Sequence, residues 1–263
     1  MRRWSLVIVS AAIVLTACGD DGSTGTTSGV SDPEPHELTV SAASSLTDAF
    51  GAIGTAFERA NPGVRVTFNF GPSDGLATQI EDGAPVDVFA SASSTWMDAV
   101  QDEGLGVSGR KDFAKNELAI IAPRDNPAGI GEIDDLANAG VKLVIAAEGV
   151  PAGDYAREIL ANAEISDAAL ANVVSNAEDV RAVVTAVVAG DADAGIVYVT
   201  DVTSDVADQL TVIQIPDDVN VIATYPIAVI IGSEEADLAQ RFVDHVLDEG
   251  QQTLAEYGFV PVA

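Results

Sequence analysis

The chain has 263 residues, enough for one large or two modest domains with ample core. Its 12 basic and 41 acidic side chains give a net charge of −29, which argues against nucleic acid or anionic lipid as a partner held by charge. An anionic ligand would have to be caught by local dipoles against that field, and with a single cysteine no disulfide can form within the chain.

Met1, Arg2 and Arg3 form a basic start, and residues 4–17 form an apolar run too short to span a bilayer comfortably. The run ends Leu15-Thr16-Ala17-Cys18-Gly19, which resembles a bacterial lipoprotein signal. That resemblance implies a signal peptide over 1–17 and a lipid-carrying Cys18. The chain would then be anchored to the cell membrane on its extracytoplasmic face. Residues 18–37 are rich in Gly, Ser, Thr, Asp and Pro without apolar period and read as a flexible tether, with His36 inert inside it.

Leu38-Thr39-Val40-Ser41-Ala42-Ala43 suits a short buried strand. Behind it Leu46, Ala49, Phe50, Ile53 and Phe57 fall at the three-and-four spacing of one helix face. Ser45 stands where an N-cap belongs, and Asp48 three residues later completes a Ser-x-x-Asp capping signal. A strand thus feeds a helix whose first turn offers free N–H groups and hydroxyls, a seat for an anion. Asn61-Pro62-Gly63 is a turn, 64–70 alternates as a strand, and Gly71-Pro72-Ser73-Asp74-Gly75 opens a second helix over 76–81. Strand 86–90 precedes a helix over 93–103, in which Trp96 and Met97 read as packing residues rather than ligand contacts.

A strand over 117–123 ends at Pro123 and the pattern restarts. It predicts a short helix over 133–137, strand 141–146 and a helix from Pro151 to Asn162. Helix 180–189, strands 194–199, 210–215 and 224–230, and a helix over 236–247 follow. Strands alternating with helices imply a doubly wound sheet with helices on both faces. Ligands of such sheets sit beyond the carboxyl ends of strands, where Ser45 and Ser73 are expected.

Metal motifs are missing: there is no His-Glu-x-x-His and no Asp-x-Asp-x-Asp-Gly loop, and Gly71-Pro72-Ser73-Asp74-Gly75 matches Gly-x-Ser-x-Gly in spacing alone. A membrane-tethered serine hydrolase would need Ser45 or Ser73 beside His245, which falls in an amphipathic helix.

Several blocks in order carry a resemblance. They are Ala43-Ser44-Ser45-Leu46-Thr47-Asp48-Ala49-Phe50, Phe70-Gly71-Pro72-Ser73, the stretch 76–92, Val150-Pro151-Ala152-Gly153-Asp154-Tyr155-Ala156, Ala177-Glu178-Asp179-Val180-Arg181, Gly195-Ile196-Val197-Tyr198 and Glu256-Tyr257-Gly258-Phe259. From residue 38 onward the chain resembles the periplasmic molybdate-binding proteins of ABC importers. The resemblance implies a type II Venus-flytrap α/β fold, each domain a doubly wound mixed sheet flanked by helices. It places domain 1 at 38–121 plus 224–263 and domain 2 at 122–223, with crossing segments near 118–124 and 221–227 as the hinge. It implies a monomer that captures molybdate or tungstate with no cofactor and delivers it to an ABC permease. The oxyanion would be held by the hydroxyl and N–H of Ser45 and of Ser73, the N–H groups of Ala152 and Val180, and the hydroxyl of Tyr198. Four of these five positions are predicted helix starts. Ser44 offers a second hydroxyl beside Ser45, so the first contact falls to one or the other, and the Asp74 carboxylate must turn away from a dianion. A donor-only site suits fully ionised anions and disfavours protonated phosphate. Sulfate remains the alternative within the class.

Overall fold

The computed structural model describes residues 36–102 and 107–262. The expected signal peptide, the expected lipid-carrying Cys18 and the expected tether up to residue 35 lie outside them. His36 and Glu37, expected to end the tether, instead open the first strand, and His36 Nδ1 lies 3.0 Å from Glu235 Oε1.

The chain begins β1 (His36–Ala43), a 3-10 turn (Ser44–Leu46), α1 (Thr47–Ala60), β2 (Val64–Gly71), α2 (Ser73–Glu81), β3 (Val88–Ala90) and α3 (Ser94–Val100). The long strand β4 (Val107–Pro123) leads to a 3-10 turn at Ile133–Ala137, then β5 (Leu143–Ala146), α4 (Pro151–Asn162), α5 (Ser166–Ala171), β6 (Val173–Ala177) and α6 (Val180–Val188). After β7 (Ala194–Tyr198) come a turn at Val199–Asp201, α7 (Ser204–Ala207) and β8 (Leu210–Gln214). The chain returns through β9 (Ile222–Ile230), α8 (Ala236–Leu247), α9 (Gly250–Glu256) and β10 (Val260–Pro261).

The strands form one ten-stranded mixed sheet in the order β2-β1-β3-β9-β4-β7-β5-β6, with β8 and β10 also paired to β4. β1 pairs parallel with β2 and β3, and β5 pairs parallel with β6 and β7, while β4 is antiparallel to all its partners. β4 joins two lobes: through Glu117 it pairs with β9, and from Leu118 onward with β7. β8 ends at Gln214 and β9 opens at Ile222, opposite Glu117 of β4.

The stripe predicted on α1 buries Ala49, Phe50, Ile53 and Phe57. Phe50 meets Phe113 at 5.5 Å, and Phe57 meets Phe242 of α8 at 5.3 Å in an edge-on contact. Each fully buried ring contributes about 1.5–3 kcal/mol through lost apolar surface. Met97 is fully buried in a second cluster with Leu76, Ile80 and Phe89, on the far side of the first lobe's sheet from α1.

The capping signal at Ser45 is not used as one. The helix is preceded by the 3-10 turn and carries no side-chain cap bond. Ser45 Oγ is buried and lies 3.0 Å from the Tyr225 hydroxyl, and Asp48 pairs with Arg181 of α6 at 2.9 Å. A tertiary partner has taken each group that local geometry offered to the helix.

Candidate functional site

Where parallel strands end, helices begin, and four such starts face each other across the two lobes. β1 runs into the Ser44–Leu46 turn, β2 into α2 at Ser73, the turn after β5 into α4 at Pro151, and β6 into α6 at Val180. The first N–H groups of such turns have no acceptor within the helix and carry the positive end of its dipole.

Together they border a small cavity whose lining includes Ser44, Ser45, Ser73, Ala152, Val180 and Tyr198. All five residues expected to hold a ligand are therefore brought to one place, and Ser44 joins them. None of the twelve lining residues is charged, so an anion there meets only dipoles and neutral donors. Asp74, the carboxylate that must turn away, is outside the lining.

The local sequence explains how the starts come so close. Val150 and Pro151 open α4 with proline in its first turn, where its missing N–H costs nothing. Gly153 follows because a Cβ there would lie 2.1 Å from the Ala147 carbonyl oxygen. Arg157, one turn on, donates to the Ala146 and Gly153 carbonyls at 2.9 and 2.8 Å and to Asn176 Oδ1 at 2.8 Å, tying the start of α4 to the end of β6. The Asp179 carboxylate caps α6 by accepting from the Ala182 N–H at 2.8 Å.

Ser73 Oγ accepts from the Ala92 N–H at 3.0 Å. Tyr198 is almost fully buried and its hydroxyl has no hydrogen-bond partner among the described residues. Burial, with Tyr225 and Tyr155 close by, pushes its phenol well above the usual range, so it stays a neutral donor. Tyr155 lies edge-on to Tyr198 at 6.5 Å, and burial pushes its phenol up to about 12.

Serine hydrolysis needs a base beside the nucleophile. Here the partners of the two serines are Tyr225 and the Ala92 N–H, while His245 Nδ1 lies 2.8 Å from Glu249 Oε2 in α8 and the turn after it.

Three residues that matter to the site escaped the sequence reading. Tyr225 and Asn116 sit behind Ser45, and Trp96, read as packing, donates its indole N–H to the Gly149 carbonyl in the opposite lobe at 2.7 Å. For Asn116 the available signal was a polar residue leading the apolar run 118–122; it is completely buried.

A two-lobed α/β fold whose helix starts close from both sides on one uncharged cavity defines the class of bilobal binding proteins. Residues 38–260 match the bacterial extracellular solute-binding proteins, and the chain belongs to that family. It is 38% identical to the molybdate-binding protein ModA of Mycobacterium tuberculosis and 32% identical to that of Escherichia coli, each time over 98% of both chains. Its fold is like that of the periplasmic molybdate-binding protein of Azotobacter vinelandii, with a TM-score of 0.76 at 20% identity, covering 86% of this chain and all of that one. No helix among the described residues is long and apolar enough to cross a membrane.

Proposed function

We propose that the chain captures molybdate, or its size-mate tungstate, between its lobes and hands it to an ABC permease. The observation that carries this reading is the convergence of four helix starts on one cavity with no charged residue in its lining. The relatives named for molybdate binding support the choice of anion. The oxyanion is held by the hydroxyl and N–H of Ser45 and Ser73, the N–H groups of Ala152 and Val180, and the hydroxyl of Tyr198. No cofactor takes part, and the protein binds without catalysing a reaction. The lobes comprise residues 38–121 with 224–263, and 122–223. A monomer is tethered through lipid on Cys18 to the outer face of the cell membrane.

Isothermal titration with sodium molybdate, tungstate, sulfate and phosphate tests the reading. Molybdate and tungstate should bind most tightly. Tighter binding of sulfate would make this a sulfate receptor, and no heat with any of the four would remove the oxyanion assignment.

A further inference from the structure

We propose that Asn116 and Tyr225 fix the direction of the Ser45 hydroxyl proton and so make the site select anions that carry no proton of their own. The proposal rests on the oxyanion reading above and names how the site discriminates.

The argument begins at a group whose polarity cannot change. The Glu117 backbone N–H donates to Asn116 Oδ1 at 3.0 Å, which fixes the side-chain amide. Its Nδ2 therefore faces Thr200 Oγ1 at 2.8 Å and the Tyr225 hydroxyl at 3.4 Å, and an amide nitrogen only donates. The Tyr225 oxygen accepts that bond and its own proton is left for Ser45 Oγ, 3.0 Å away. Burial pushes the Tyr225 phenol far above its ordinary range, so the proton is always there to give. Ser45 Oγ accepts it, and the serine's own proton is directed at the cavity that Ser45 lines.

The reverse arrangement would leave the phenol proton of a completely buried side chain only the neighbouring Tyr198 hydroxyl to turn to, and that hydroxyl makes no hydrogen bond among the described residues. Ser73 reaches the same state by a shorter route. The Ala92 N–H occupies its oxygen at 3.0 Å and leaves its proton for the cavity. Two serines at two different helix starts are thus both set as donors. Hydrogen phosphate must place its own proton on an acceptor, and hydroxyls whose own protons point at the ligand are poorly turned to accept it, whereas molybdate, tungstate and sulfate need only donors. Asn116 and Tyr225 are positioning residues in this account, because neither lines the cavity.

Tyr225→Phe removes the donor behind Ser45 and frees its oxygen to accept. In calorimetric titrations at pH 8, with thermal melts confirming the fold, molybdate should bind about tenfold more weakly in this variant. The preference for molybdate over hydrogen phosphate should shrink by about the same factor. In a Ser45→Ala background Tyr225→Phe should add nothing further, because its effect passes through that hydroxyl. A loosened pocket would instead weaken both anions alike and add to Ser45→Ala, and either result overturns the relay. Asn116→Asp is a second variant of the same size that turns the donor into an acceptor. It should shift the preference in the same direction, and an unchanged ratio there also overturns the proposal. A wild-type protein that takes neither anion refutes the oxyanion reading itself, a failure visible without any variant.

Discussion

The carboxyl of Asp201 is buried behind Tyr198, whose backbone N–H it accepts at 3.2 Å, while its second oxygen finds no partner among the described residues. Burial lifts its pKa to about 7, against the opposing pull of Arg181 and with Asp179 and Asp48 adding repulsion. Because the folded value lies above the unfolded one, the folded chain holds a proton here that the unfolded chain loses near pH 4. The stabilisation is complete below that and fades as pH rises through about 7. Asp201→Asn should therefore melt higher than wild type at pH 8, by no more than about 4 kcal/mol, and close to wild type at pH 4. Equal melting at pH 8 would mean that the carboxylate is not desolvated. Ser73→Ala should weaken molybdate binding about ten- to a hundredfold. It also leaves the Ala92 N–H without its acceptor, at a cost to stability of about 1–3 kcal/mol. Ser45→Ala strands the Tyr225 proton in the same way, so melts and titrations must be read together.

At the level of elements, α4 is where packing and binding share one constraint. Any side chain at Gly153 must push the helix start away from the end of β5, because its Cβ would meet two carbonyl oxygens at 2.1 and 2.4 Å. Gly153→Ala should cost about 1–3 kcal/mol and weaken the ion through a displaced Ala152 N–H, seen as a lower melting point with a larger dissociation constant. Helices α1 to α4, α6 and α8 and the buried strands were legible because apolar period and helix-opening residues agree there, whereas the short helices α5, α7 and α9 were not. The first ten residues of β4 were not. Arg110, Lys111, Asp112 and Lys115 interrupt the apolar pattern, and pairing with β9 rather than composition makes this stretch a strand. The site itself was legible through the resemblance, residue by residue, since helix starts are local. Tyr225 lies 180 residues from Ser45 and 109 from Asn116, and no local pattern announces a hydrogen bond made across such distances.

Across the whole molecule, the bonds that run from one lobe to the other include Trp96 to the Gly149 carbonyl, Arg181 to Asp48, Asn116 to Thr200 Oγ1 and the Tyr155 hydroxyl to the Ala92 carbonyl. The ion pair is about two-fifths exposed on both sides and contributes about 0–1 kcal/mol; the indole bond adds about 0.5–1.5 kcal/mol. Closure then depends chiefly on the ion, and these bonds set how long it stays. Trp96→Phe should raise the dissociation rate by up to about tenfold and leave the association rate nearly unchanged. The charge of −29 acts the other way round, on arrival. It repels a dianion at long range, so capture should speed up as inert salt is added from very low ionic strength, with release little affected. A steep fall of the association rate would reveal a local positive field that the uncharged lining does not provide. The bond at Gly149 also has an optical side. An indole moored to a carbonyl of the opposite lobe emits from a partly dry setting, and parting the lobes would wet it and move its emission to the red. In a Trp4→Phe chain, where Trp96 is the sole tryptophan, the colour of that emission should track bound molybdate, making the protein its own dye-free sensor. An unchanged spectrum on ligand removal would mean that the indole never leaves its mooring.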